Sequence, residues 1–206
     1  MSDIRGRILQ TSRDMFFRYG IKSITMDDIC REMGISKKTF YQFFEEKNQL
    51  VEELVKLTTE DNLRVINGFV NEAEHAIHEF MLLMRHMSGF FSDMNPVMLY
   101  DMYKYHVEAY GVFRKYRDKE IYRVVKQNLE RGIKEKLYRD DIPVGILAKL
   151  RIEEVNMMFN PEIFSKEGYS FVQVQLELMK HFLHGIVTLR GHKLVNEYMH
   201  TYEMEK

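Results

Sequence analysis

The segment from Thr25 to Lys47 constrains the fold more than any other part of this 206-residue chain. Gly34 stands where one short helix would end and the chain reverse, a place where positive φ is usual and a Cβ is costly. Ile29, Met33, Ile35, Phe40 and Phe43 are spaced so that two helices crossing steeply share one apolar seam. Cys30, one turn before Gly34, is small enough to admit the second helix. Thr25 with Asp28 three residues on forms a capping-box variant, and Ser36 is placed to cap the second helix. Lys37, Lys38 and Thr39 then occupy the first turn of that helix. Two lysines there oppose the helix dipole. They make sense where a polyanion lies against the free N–H groups. The pattern is that of a helix-turn-helix.

Only three prolines and eleven glycines, with apolar residues recurring at helical spacing, predict an all-α chain. One cysteine excludes an intrachain disulfide framework. The start, Met-Ser-Asp-Ile-Arg, has no apolar leader core and no later run approaches a membrane span, which predicts a cytoplasmic protein. Residues 1–47 hold nine Lys/Arg and seven Asp/Glu, a net of +2, and the rest a net of −3. That bias suits a modest electrostatic footprint and not a polycation.

From Ile4 to Leu50 the chain resembles the DNA-binding domain of TetR-family transcriptional repressors. The resemblance is carried by Ile8-Leu9, Met15-Phe16-Phe17, Tyr19-Gly20, Thr25, Asp28-Ile29, Gly34-Ile35-Ser36-Lys37, Thr39, Tyr41, Phe44, Lys47 and Leu50. It implies a three-helix helix-turn-helix domain over 1–48 and a helical effector-binding and dimerisation domain over 49–206. By position, Thr25, Tyr41 and Lys47 would hold phosphates, and Ser36, which caps the recognition helix, belongs to the same DNA-binding set. Lys37, Lys38, Thr39 and Gln42 would face bases or nearby backbone. Lys38, Cys30 and Glu45-Glu46 depart from the family pattern, and the two glutamates lie beside Lys47.

The first helix is expected over Ile4–Tyr19, ended by Gly20. A long helix from Lys47, carrying Leu50, Leu54, Leu57, Leu63 and Ile66, would be a lever between the two domains. Further helices are expected near 72–91, 97–104, 107–136, 144–159 and 169–188, with a break at 93–96 and a short terminal helix. Methionine and tyrosine crowd the region from Phe80 to Tyr122 and suit an adaptable cavity. With the resemblance they suggest a pocket of Met84, Met87, Phe91, Met98, Met102, Tyr103, Tyr110 and Phe113 for a small apolar or aromatic effector. An ordinary methionine-rich core is the competing explanation.

Leu147, Leu150, Val155 and Met158 on one C-terminal helix, and Leu176, Met179, Leu183, Ile186 and Val187 on the next, read as a homodimer interface, with Gly185 permitting close approach. A dimer presents two recognition helices about one duplex turn apart on a near-palindromic operator. The pairs His75/His78 and His181/His184 have metal-ligand spacing, but no third ligand completes either, so no metal or cofactor is expected. His86 and His106 lack a nucleophile and an orienting group, which argues against an enzyme. The expected function is a ligand-responsive dimeric repressor that binds double-stranded DNA. The alternative is a helical small-molecule-binding protein whose helix-turn-helix no longer binds DNA.

Overall fold

The structure is a computed structural model that describes residues 4–92, 94–95, 97–158, 163 and 168–204. Asp93, Pro96 and Phe159, which border expected helices or breaks, lie outside the described residues. Among the described residues the chain is all-α apart from one isolated antiparallel bridge, Tyr138 to Val187. The helices are α1 (Ile4–Tyr19), α2 (Met26–Met33), α3 (Lys37–Tyr41), α4 (Lys47–Glu72), α5 (Ala76–Ser92), α6 (Val97–Tyr105), α7 (Val107–Lys115), α8 (Tyr122–Lys134), α9 (Val144–Met158), α10 (Phe171–Ile186) and α11 (Leu189–Met204).

Two compact units divide the chain, one of residues 1–62 and 93–116, the other of 63–92 and 117–206. In the first, Ile8 and Phe16 of α1, Ile29 of α2, Phe40 of α3 and Leu50 of α4 are all at most 1% exposed. Met102 of α6 and Ala109 of α7 close the same core. Backbone of the segment before α6 finishes α1, whose last carbonyls have no partner within the helix. Asn95 donates its N–H to Phe17 O at 2.7 Å, and its amide reaches Arg18 O. Ser12 is fully buried in the α1 stripe with its hydroxyl unpaired, the small polar interruption that close packing tolerates.

In the second unit α5 packs against α8, α10 and α11, and α9 against α8 and α10. Its core runs from Ala76 and Ile77 through Leu129 and Tyr138 to Met179, Leu183 and Val195. Arg131 joins these layers: it bonds Glu79 at 2.9 Å, Glu135 at 2.7 Å and the Ala73 carbonyl at 2.9 Å. The last of these satisfies the C-terminal end of α4, where no residue of the same helix can. Gly132 lies against Tyr138, and a Cβ there would sit 2.1 Å from the ring. The Tyr138 hydroxyl donates to Asn128, and burial pushes its pKa up.

Two sequence expectations need correction. The helix expected over 107–136 is interrupted by a π-helical turn, Tyr116–Ile121, where the Tyr116 hydroxyl is buried without a partner. The terminal helix is sixteen residues and not short, because Val195 and Met199 bury one side of it in the second core.

Candidate nucleic-acid interface

The helix-turn-helix is built by local bonds that the sequence specifies. Thr25 Oγ1 accepts from Asp28 N at 3.1 Å, and the Asp28 carboxylate accepts from Thr25 N at 2.9 Å and from its hydroxyl at 2.6 Å. Those bonds hold the Asp28 carboxyl below the usual carboxylate range. Gly34 takes φ +66°, and Ile35 N closes on Cys30 O at 3.1 Å. Ser36 then caps α3 by accepting from Thr39 N at 3.0 Å. Behind the turn, Ile29, Phe40 and Phe44 are wholly buried, so α3 is fixed by its inner face and offers its outer one.

That outer face presents Lys37, Lys38, Tyr41 and Gln42, all exposed, with Thr25 and Ser36 exposed beside them and Thr39 half-buried. Tyr41 is 47% exposed although its ring edges onto Phe40 at 6.1 Å, so its hydroxyl projects from an anchored ring. Lys37 is bonded to Asp27 of α2 at 2.6 Å, a pair that holds its ammonium pKa up. Sequence reasoning missed Asp27, since nothing local links residues ten apart across a turn.

Lys47 lies differently. Its ammonium donates to Ile21 O at 2.6 Å and to Ile24 O, and stands 5.7 Å from the Phe16 ring centroid. Burial pulls its pKa down. It thus clasps the turn between α1 and α2 from one side. Asp101 of α6, 3% exposed, holds the same turn from the other by accepting from Lys22 N at 2.8 Å. Gly20 opens the turn at φ +82°, and a Cβ there would come 3.2 Å from the Asp101 carboxylate. No sequence signal pointed to Asp101, 79 residues from its partner. Close by, His106 Nδ1 is 2.6 Å from Asn48 Oδ1, and burial, then the charge of Lys47, lowers its pKa.

The eight residues suggested as a pocket fall in both units. Met84, Met87 and Phe91 are on α5 of the second. Met98, Met102 and Tyr103 on α6, with Tyr110 and Phe113 on α7, belong to the first. There Met102 is core, Tyr103 is 62% exposed, and Tyr110 meets Tyr103 edge-on at 5.2 Å and Phe113 at 6.4 Å. The second unit contains a cleft of about 10 Å³, lined by Ile66, Phe69, Glu79, Phe80, Leu83, Val124, Val125 and Asn128. Glu79 and Asn128 are already bonded, to Arg131 and to Ala76 O.

Of the residues suggested for a dimer interface, Met158, Met179, Leu183, Ile186 and Val187 are buried by their own chain. Leu147, Val155 and Leu176 are half-buried, and Leu150 is exposed. Apolar surface on α9 is carried by Ile146, Leu150 and Met157, 68%, 48% and 40% exposed. A Cβ built on Gly185 would meet nothing within 4 Å beyond its own helix, while its carbonyl accepts from Arg139 at 2.8 Å. His75 and His78 use Nδ1 to accept from backbone N–H groups and pack on Tyr198. His184 packs on His192. Among the described residues no three His, Cys, Asp or Glu side chains are grouped to hold a metal, and no helix is long and apolar enough to cross a membrane.

An all-α chain with a doubly capped helix-turn-helix and a polar, exposed second helix has the architecture found in helix-turn-helix proteins. Residues 8–54 match the profile of the family described as "Bacterial regulatory proteins, tetR family". The chain is 23% identical over 165 residues to the HTH-type transcriptional regulator YvaF of Bacillus subtilis (strain 168), covering 80% of this chain and 86% of that one. A transcriptional regulator from Saccharomonospora viridis, solved with choline, shares the fold at TM-score 0.77 and 19% identity, over 91% of this chain and 100% of that chain. A TetR transcriptional regulator from Legionella pneumophila does so at TM-score 0.70 and 17% identity, over 91% and 99%.

Proposed function

We propose that the chain is a cytoplasmic, homodimeric repressor that binds a near-palindromic DNA operator through α3 and is released by a small effector. The observation that carries this is the α3 face: Lys38, Tyr41 and Gln42 are exposed on a five-residue helix whose cap and buried face leave it one orientation. Tyr41 and Thr25 supply hydroxyls to phosphates. Lys38 and Gln42 supply donors and an acceptor suited to guanine and adenine edges in the major groove. Lys37 reaches DNA by exchanging Asp27 for a phosphate or base, an exchange that an exposed ion pair permits at little cost.

Lys47 acts in this reading as a positioning residue, since its ammonium holds the turn that carries Thr25. Two copies pair through α9 and α10, with Ile146, Leu150, Met157 and Leu176 supplying apolar surface that the single chain leaves open. An effector bound in the helical body shifts the population only as far as it prefers the released state. The cleft of the second unit has room for about one water, so an apolar or aromatic effector entering there would displace side chains.

The test is fluorescence anisotropy of the purified protein against duplexes from around its own gene. Specific, salt-dependent binding that Tyr41→Ala weakens by about 1–3 kcal/mol supports the reading. Binding that ignores both Tyr41→Ala and Lys38→Ala would refute the α3 face. Absence of any duplex binding, with a retained small molecule, would favour a helical ligand-binding protein.

A further inference from the structure

The cations of the first unit are unequally committed. Arg31 faces Asp28 at 3.4 Å, Lys37 faces Asp27 at 2.6 Å, and Arg5 is paired with Glu53. Lys47 is spent on carbonyls. Lys22 and Lys104 stand apart from these: among the described residues neither has a carboxylate within ion-pair distance. Both are exposed, and both lie over one ring, with Lys22 Nζ 5.0 Å and Lys104 Nζ 5.5 Å from the centroid of Tyr105. Lys104 also donates to the Tyr100 hydroxyl at 3.2 Å. Tyr100 and Tyr105 are 45% and 40% exposed. The aromatic faces attract the ammonium groups, but two like charges gathered on one ring still repel, and an anion placed between them would relieve it.

The place of this cluster gives the anion its identity. Lys22 is three residues before Thr25 on the turn that Lys47 and Asp101 hold, and three residues reach at most about 10 Å. That is about the rise of three base steps along one strand. The cluster is also tied to α1 through the α6 segment, by the Asn95 N–H on Phe17 O and Asp101 on Lys22 N. It therefore moves as one piece with the helix-turn-helix.

We propose that Lys22, Lys104, Tyr100 and Tyr105 form a second phosphate-binding surface, outside the helix-turn-helix, that grips the duplex backbone flanking each half-site. The proposal rests on the reading that α3 binds DNA. Ammonium and phenol groups are both donors to phosphate oxygens, and neither reads sequence there. The surface therefore adds affinity and length of footprint without adding base preference. A hydrogen bond from Lys22, with the charge of Lys104, holds the Tyr105 phenol below its ordinary pKa and makes its O–H a better donor.

The test uses the full chain and two duplexes with the same operator, one trimmed at the half-sites and one extended by about one helical turn on each side. Anisotropy is measured across a salt series for the unmodified protein, Lys22→Gln, Lys104→Gln and the double variant. On the extended duplex each substitution removes one contact at each half-site, so it lowers the slope of log K against log salt by about 1.8 and weakens binding about sixtyfold near 0.1 M salt. On the trimmed duplex all four proteins coincide, and preference among operator variants is unchanged. Phosphate ethylation interference adds positions outside the half-sites that the double variant loses. Equal slopes for all four on the extended duplex, with the unmodified protein binding in a salt-dependent way, would overturn the proposal and leave the α3 reading intact. Equal losses on both duplexes would also overturn it, placing the lysines within the half-site. If the unmodified protein bound neither duplex, both the proposal and the α3 reading would fall. Lys104→Gln alone carries the test should Lys22 matter for folding, since its side chain is fully on the surface.

Discussion

Replacing Lys47 with methionine keeps the length and stem of the side chain and removes the ammonium that closes the α1–α2 turn. Two bonds are lost, to Ile21 O at 2.6 Å and to Ile24 O. Hydrogen bonds to charged groups contribute about 1.5–3 kcal/mol each. The half-buried ammonium gives some of that back in desolvation, as its lowered pKa records. A net loss of about 2 kcal/mol remains, and in a unit of this size that lowers the melting temperature by about 8–16 °C. The effect should be local first. Amide exchange would quicken over residues 20–29, because Thr25 opens α2 from the end of the loosened turn. Operator affinity would fall with it, while the salt slope stayed the same. Thermal unfolding, hydrogen exchange and salt-series anisotropy on one variant decide the matter. An unchanged melting temperature with a slope reduced by about 1.8, one phosphate at each half-site, would place the ammonium on a phosphate and refute this assignment.

Gly132→Ala puts a methyl group 2.1 Å from the Tyr138 ring, which is buried and bonded to Asn128; denaturant unfolding should show a loss of about 3 kcal/mol or more. His106 has a folded pKa below its unfolded value, so the unfolded chain binds the extra proton first. Its contribution to stability is present above the unfolded pKa of about 6.5 and is lost as pH falls below it, and His106→Gln should flatten that decline in urea titrations at successive pH values. If two copies pair through α9 as proposed, Leu150→Glu on its open face should give monomers by sedimentation while leaving the unfolding temperature of the chain nearly unchanged.

What the sequence disclosed and what it hid divide along range of interaction. The capping box at Thr25, the left-handed Gly34, the Ser36 cap and the end of α1 at Gly20 were all legible, because each depends on residues within four positions. The buried seam of Ile29 and Phe40 was legible from the apolar spacing on each helix and the glycine turn between them. Asp27 on Lys37 and Asp101 on the 20–25 turn were not, because such bonds are made by packing and leave no period in the chain. Lys47 shows the difference most clearly: its place at the start of α4 was visible, but the direction of its ammonium was not. In the C-terminal helices the apolar period marked a buried face without saying what covers it. For Met179, Leu183 and Ile186 the cover is their own chain. The close approaches at Gly132 and Gly191 likewise depend on what lies opposite, Tyr138 and the Leu137 carbonyl.

The central claim is that the α3 face reads a specific DNA sequence. The most direct measurement is to pass fragmented genomic DNA over the immobilised protein at moderate salt and sequence what is retained, beside the same protein carrying Tyr41→Ala and Lys38→Ala. The account predicts a small set of fragments sharing a near-palindrome with half-sites about one duplex turn apart, absent from the double variant. Fragments retained without a common sequence, or equally by the double variant, would contradict it.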